Sequence, residues 1–190
     1  VLLKSILRLF TLLIILILVV GFFLPTHYKI EKSIQIEATA SALNYWLFDL
    51  NNWPTWQVFQ MLSPDLNFVF GEKTKGVGAF LAWQGPYQTG ELTFSKVDER
   101  NIQFNVLFND EHLAFGNLNI EPIMLKSDVT KQLVNWSLEG EINTPIFAGY
   151  LALFHNIVLS SALETGLKNL QAQAEINAPQ STSNLNELTL

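Results

Sequence analysis

Three patterns of apolar residues follow one another along the 190-residue chain, and each predicts a different kind of element. The first is unbroken. The eighteen positions 9–26, with FTLLIILILVVGFFLP at their centre, carry no charge. As a helix they reach about 27 Å, close to the hydrocarbon thickness of a bilayer. Thr11 is the one strongly polar residue before the Pro25-Thr26 pair, and Pro25 ends the run.

The second pattern has period two. YKIEKSIQIE (28–37) predicts a strand with a slip near Lys32. ATASALNYWLF (38–48) breaks the alternation with a short helix, capped by Thr39 or Ser41 and apolar along Leu43, Trp46 and Leu47. DLNNWPTW (49–56) is rich in turn formers. Strands are then expected over 66–70, 77–84, 90–98, 102–108, 112–121 and 128–139, separated by Gly, Pro, Asn and Asp. Ile102, Phe104, Val106 and Phe108 alternate strictly, as do Val134, Trp136 and Leu138. Such regular spacing predicts an antiparallel meander with one buried and one wetted face.

The third pattern has helical spacing. From Thr144, an N-cap, and Pro145, suited to a first helical position, apolar residues recur at Phe147, Tyr150, Leu151, Phe154, Ile157, Val158, Ala162, Leu163, Leu167 and Leu170. The predicted helix runs to Ala174, about 45 Å long. Its first half is apolar on nearly every side, interrupted by His155 and Asn156; its second half is amphipathic. The order of elements predicts an α+β fold: a curved antiparallel sheet of about seven strands around a long C-terminal helix, preceded by one transmembrane helix. The chain divides into an anchor (1–27), a folded domain (28–176) and a flexible polar tail (177–190).

Charge sharpens this. The formal net charge is −6, but from Ser33 onward seven Lys and Arg stand against sixteen Asp and Glu. A domain that acidic repels phosphate backbones, so nucleic acid is not an expected partner. Membrane insertion through residues 9–24 is expected. The apolar run continues past Val19 and Gly21 through Leu24, longer than a signal peptide needs, so a retained single-pass anchor is favoured over a cleaved signal. Lys4 and Arg8 before the span nearly balance His27, Lys29 and Lys32 after it; with so short a leading tail, the domain is expected on the extracytoplasmic, periplasmic side.

Chemistry is sparse. The absence of cysteine excludes thiolate metal sites and thiol nucleophiles, and no two of the three His stand at ligand spacing. Neither a metal nor a cofactor is implied, and no known catalytic motif is present. His112 follows Asp110-Glu111 in an expected solvated hairpin turn. His155, in the most apolar part of the chain, is the one catalytic candidate.

The order of elements, together with DLNNWPTW, GVGAFLAWQG, TGELTFSKV, GNLNIEP and VNWSLEG, resembles the SRPBCC (START-like, Bet v 1-like) superfamily, and more closely its bacterial polyketide cyclase/dehydrase-type branch. The resemblance covers residues 28–174. It implies a helix-grip fold with a cavity between sheet and long helix, in members that bind lipids, sterols, hormones or polyketides. On this reading Trp56, Trp83, Tyr87, Phe104, Trp136, Tyr150, Phe154 and His155 line the cavity, and the WPTW segment forms its rim, with Trp side chains near lipid headgroups. The expected function is a membrane-anchored binding domain for a small hydrophobic or amphipathic ligand. The alternatives are a cyclase/dehydrase-type enzyme acting on such a ligand and an interaction module with a filled core.

Overall fold

Alternation along the middle of the chain yields a seven-stranded antiparallel sheet in the order β1-β7-β6-β5-β4-β3-β2 in a computed structural model, which describes residues 2–57, 65–86, 88–123, 131–144 and 146–176. The strands are β1 (His27–Ile36), β2 (Asn67–Phe70), β3 (Phe80–Gln84), β4 (Thr89–Asp98), β5 (Asn101–Phe108), β6 (His112–Ile123) and β7 (Lys131–Glu141). Among the described residues the α-helices are α1 (Leu2–Phe23), α2 (Ala40–Leu47), the single turn α3 (Trp53–Trp56) and the long α4 (Ala148–Ile176). This is the predicted architecture.

Local chemistry explains most boundaries. The Thr39 hydroxyl accepts from the Ala42 N–H at 3.2 Å and starts α2. Asn109 and Asp110 both take positive φ (51° and 60°), and the Glu111 N–H donates to the Phe108 carbonyl at 3.1 Å. That tight turn sits in the three-residue connection 109–111, on either side of which Phe108 and His112 pair. Gly76 and Gly78, at φ 72° and 83°, hold a turn that delays β3 to Phe80, three residues after its predicted start. Ile146 has φ 68°, a conformation unfavourable for a β-branched residue, so regular helix begins at Ala148, not beside Thr144. Pro145, the residues 128–130 and the tail 177–190 lie outside the described residues.

Three strand glycines face aromatic rings across the sheet. Gly90, Gly116 and Gly140 sit directly across from Trp83, Phe104 and Tyr28 on the neighbouring strands. In each case the ring lies where a Cβ would stand. Rings laid along the backbone thicken the concave face without projecting from it, a known way of covering strand glycines.

The expected slip in β1 does not occur. Its register with β7 runs without interruption from His27↔Glu141 to Ile36↔Gln132. Lys32 therefore shares the inward face with Ile30 and Ile34, and its Nζ reaches the Glu164 carboxylate of α4 at 3.6 Å. The helix follows β1 along its length: His155 lies beside Tyr28, Lys32 meets Glu164, the Gln171 amide donates to the Gln35 carbonyl, and the Glu37 N–H donates to Glu175. Twenty residues of helix and nine of strand both advance about 30 Å, so the two elements stay in step.

Candidate ligand site

Aromatic rings pack together between the sheet and α4. The Asp49 carboxylate caps the turn 50–52 by accepting from the Asn51 N–H at 3.1 Å and pairs with Lys75 at 3.2 Å. Burial pushes this carboxyl up, but the Asn51 N–H, Lys75 and Thr74 outweigh it and hold it below the usual range. So fixed, the chain turns Trp53 and Trp56 inward. Their indole N–H groups donate to the carbonyls of Leu47 (2.9 Å) and Trp46 (3.3 Å). Trp53 meets Phe94 and Phe104 at 5.5 and 5.4 Å between ring centres, and Trp56 meets Trp136 at 5.5 Å. The Asn169 amide donates to the Trp56 carbonyl, and Gly166 lets α4 approach the Trp136 ring. The expectation that WPTW forms a rim at the lipid headgroups is thus corrected. Trp53 and Trp56 are 2% and 0% exposed because their N–H groups find backbone acceptors inside the fold.

Some polar groups in this apolar interior lack partners. Gln57 is buried, and neither its amide nitrogen nor its oxygen has a hydrogen-bond partner among the described residues. The Trp136 indole N–H and His155 Nδ1 are likewise buried and unpaired. Each such group costs about 1–3 kcal/mol relative to a paired one.

At the α1 end of the grip, three side chains converge. The rings of His155 and His112 lie 6.4 Å apart, and those of His155 and Tyr28 6.0 Å apart. Burial, and secondarily the charge of His112, hold the His155 pKa below its ordinary value, so the imidazole is neutral at pH 7. Burial raises the Tyr28 hydroxyl above its own. His112 departs from the expected solvated turn: the turn closes at Glu111, and His112 opens β6 on the inward face with a side chain 18% exposed. Glu91 of β4 points outward. Immediately outside this end, the convex face carries a cleft of about 630 Å³ lined by Lys29, Leu113, Phe115, Glu139 and their neighbours.

No protein-family model matches the sequence, and no curated protein does. Solved structures match in shape. A protein from Nitrosospira multiformis aligns with a TM-score of 0.57 at 17% identity, over 77% of this chain and 96% of that one. A START superfamily protein from Mycobacterium smegmatis gives 0.57 at 14% identity, over 78% and 97%. This chain has the START-like helix-grip fold. Norcoclaurine synthase from Thalictrum flavum, in complex with dopamine and hydroxybenzaldehyde, also shares it, with a TM-score of 0.55 at 13% identity over 81% of this chain and 90% of that one.

Within the helix-grip frame, the sequence-predicted residues separate into groups. Trp56, Phe104 and Trp136 stand together in the interior, and Trp83 is buried farther along the sheet against Phe108, at 6.0 Å. His155 joins the cluster at the α1 end. The Tyr150 hydroxyl is committed elsewhere, donating to the Ile17 carbonyl of α1 at 2.8 Å. Phe154 is 60% exposed, on the outer side of α4. Tyr87 lies outside the described residues. Sequence reading missed Gln57. A lone Gln after a Trp-rich turn carries no periodicity, and its burial follows only from the way the turn is anchored.

Proposed function

We propose that the protein is a membrane-tethered helix-grip domain that holds a small apolar or amphipathic molecule between the sheet and α4. The unpaired buried atoms of Gln57, Trp136 and His155 carry the reading. Aromatic walls supply affinity in proportion to apolar ligand surface buried, about 25 cal/mol per Å² before the entropic cost of binding. The Gln57 amide, which both donates and accepts, and the Trp136 N–H, which donates, fix the polar end of the ligand. The anchor keeps the grip where such molecules partition.

The test is native mass spectrometry of the full chain released from detergent, beside a Gln57→Leu variant. A small molecule carried by the wild type and lost from the variant supports the reading. A wild type that arrives empty and takes up neither a fluorescent fatty acid nor a sterol overturns it in favour of an interaction module with a filled core.

A second reading rests on the Tyr28–His112–His155 cluster, in which a neutral imidazole faces a second imidazole and a phenol. These are groups able to move a proton on a bound ligand, as a cyclase/dehydrase-type enzyme requires. If the carried molecule is turned over and His155→Asn stops turnover without releasing it, the domain is an enzyme.

A further inference from the structure

We propose that the first half of α4 is a second membrane element, which lies in the same bilayer leaflet as the end of α1 and seats the α1 end of the grip on the lipid. The inference rests on the reading of α1 as a membrane span and goes beyond it: an anchor alone leaves the domain free to hang at any angle.

Depth is the first argument. The Tyr150 hydroxyl donates to the Ile17 carbonyl, in the interior of the 22-residue α1. Ile17 lies six residues before the end of α1, about 9 Å along its axis. Gly149 packs directly on Leu24, where a side chain would collide with it, and Gly21 leaves room for the Tyr150 ring and the Ile146 carbonyl. The two helices are therefore in backbone-close contact at a level that lies within the hydrocarbon whenever α1 spans it. Because His155 is level with Tyr28, the residues before it project beyond the start of the sheet, alongside α1.

Composition is the second argument. No Asp, Glu, Lys or Arg occurs from Ile142 to Leu163, twenty-two residues bounded by Glu141 and Glu164. Within that stretch Ile146, Phe147, Leu153, Phe154, Ile157 and Val158 are exposed, Phe154 at 60% and Ile157 at 72%. A water-facing helix surface of this kind would be costly, and the exposure continues the lipid-facing surface of α1. The exposed face also lacks the Lys and Arg that draw amphipathic helices to anionic lipid. The contact is apolar, so it holds equally on zwitterionic and anionic bilayers and is indifferent to salt.

The natural chain has no cysteine, so single Cys substitutions can be labelled cleanly. The full chain, reconstituted in phosphatidylcholine vesicles with brominated acyl chains, would carry a polarity-sensitive fluorophore at Leu18→Cys, Phe154→Cys, Ile157→Cys or Lys96→Cys. The expected result is a blue shift and bromine quenching at Phe154→Cys and Ile157→Cys comparable to Leu18→Cys, with neither at Lys96→Cys. The pattern should be unchanged when phosphatidylglycerol or 0.5 M salt is added, a concentration at which the Debye length is only about 4 Å. Quenching at Leu18→Cys with water-exposed labels on α4 overturns the proposal while leaving the anchor intact. Loss of quenching at Leu18→Cys as well overturns both. Labels on α4 that are dry but unquenched, with Phe154→Cys cross-linking between copies, overturn it in favour of a second copy of the chain.

Discussion

The two halves of α4 use apolar residues in opposite ways. In the second half, Leu159, Leu163, Leu167, Leu170 and Ala174 are all buried along β1, and Gly166 admits the Trp136 ring. Polar residues on the other side reach salt bridges and hydrogen bonds, as Glu164 does with Lys168 at 2.7 Å. This is an ordinary amphipathic helix. The first half has as many apolar residues, but only Ala148, Gly149 and Ala152 are buried, and large side chains face outward. One continuous helix thus buries large apolar side chains along one half and exposes them along the other. The change comes between Val158, still exposed, and the buried Leu159, one turn past the point where His155 meets Tyr28.

Substitutions can break this contrast. The largest effect is expected in the interior beneath the second half: Trp56→Ala should remove about 3–5 kcal/mol of stability, measured by urea unfolding in detergent. Leu163→Ala should cost about 2–5 kcal/mol by the same measurement. Gly116→Val should cost about 1–3 kcal/mol or more, because the Phe104 ring occupies the space of the new side chain. At the other extreme, Ile157→Ala should change stability by no more than about 0.5 kcal/mol; a loss as large as that of Leu163→Ala would mean that the first half is packed after all.

A pH titration sharpens the boundary between the halves. His155 has a folded-state pKa below its unfolded value of about 6.5. The unfolded chain therefore binds the proton first as pH falls, and stability declines from about pH 6.5 down to the folded pKa. The groups facing His155 are His112, itself 3.9 Å from Glu111, and Tyr28. His155→Asn should flatten this decline in thermal unfolding measured between pH 7 and pH 5. An unchanged profile would show that His155 reaches water freely.

The helix-grip fold was legible because its elements carry regular patterns: strict alternation in β5 and β7, an Asn-Asp hairpin turn, and one long helical repeat. The apolar interior was legible in kind, since Trp56, Phe104 and Trp136 are all buried. What escaped the sequence is which way particular side chains point. A one-residue change of register reverses a strand's faces, so Lys32 and His112 could not be placed inward without the pairing itself. The WPTW turn gave no periodicity at all, and its burial depends on two indole hydrogen bonds and the Asp49 cap.

The contacts between α4 and β1 have a consequence for how these molecules behave when crowded. Gln171 and Glu175 bind backbone groups at Gln35 and Glu37, and the helix runs along the whole outer strand. At that end the outer strand is tied to its own helix and is a poorer template for another sheet. The opposite edge, β2, is only four residues long, although Val69 and Phe70 are exposed on it. Strand-by-strand polymerisation needs two open edges per molecule; here one edge is tied to α4 at its end and the other is short, which limits fibril growth.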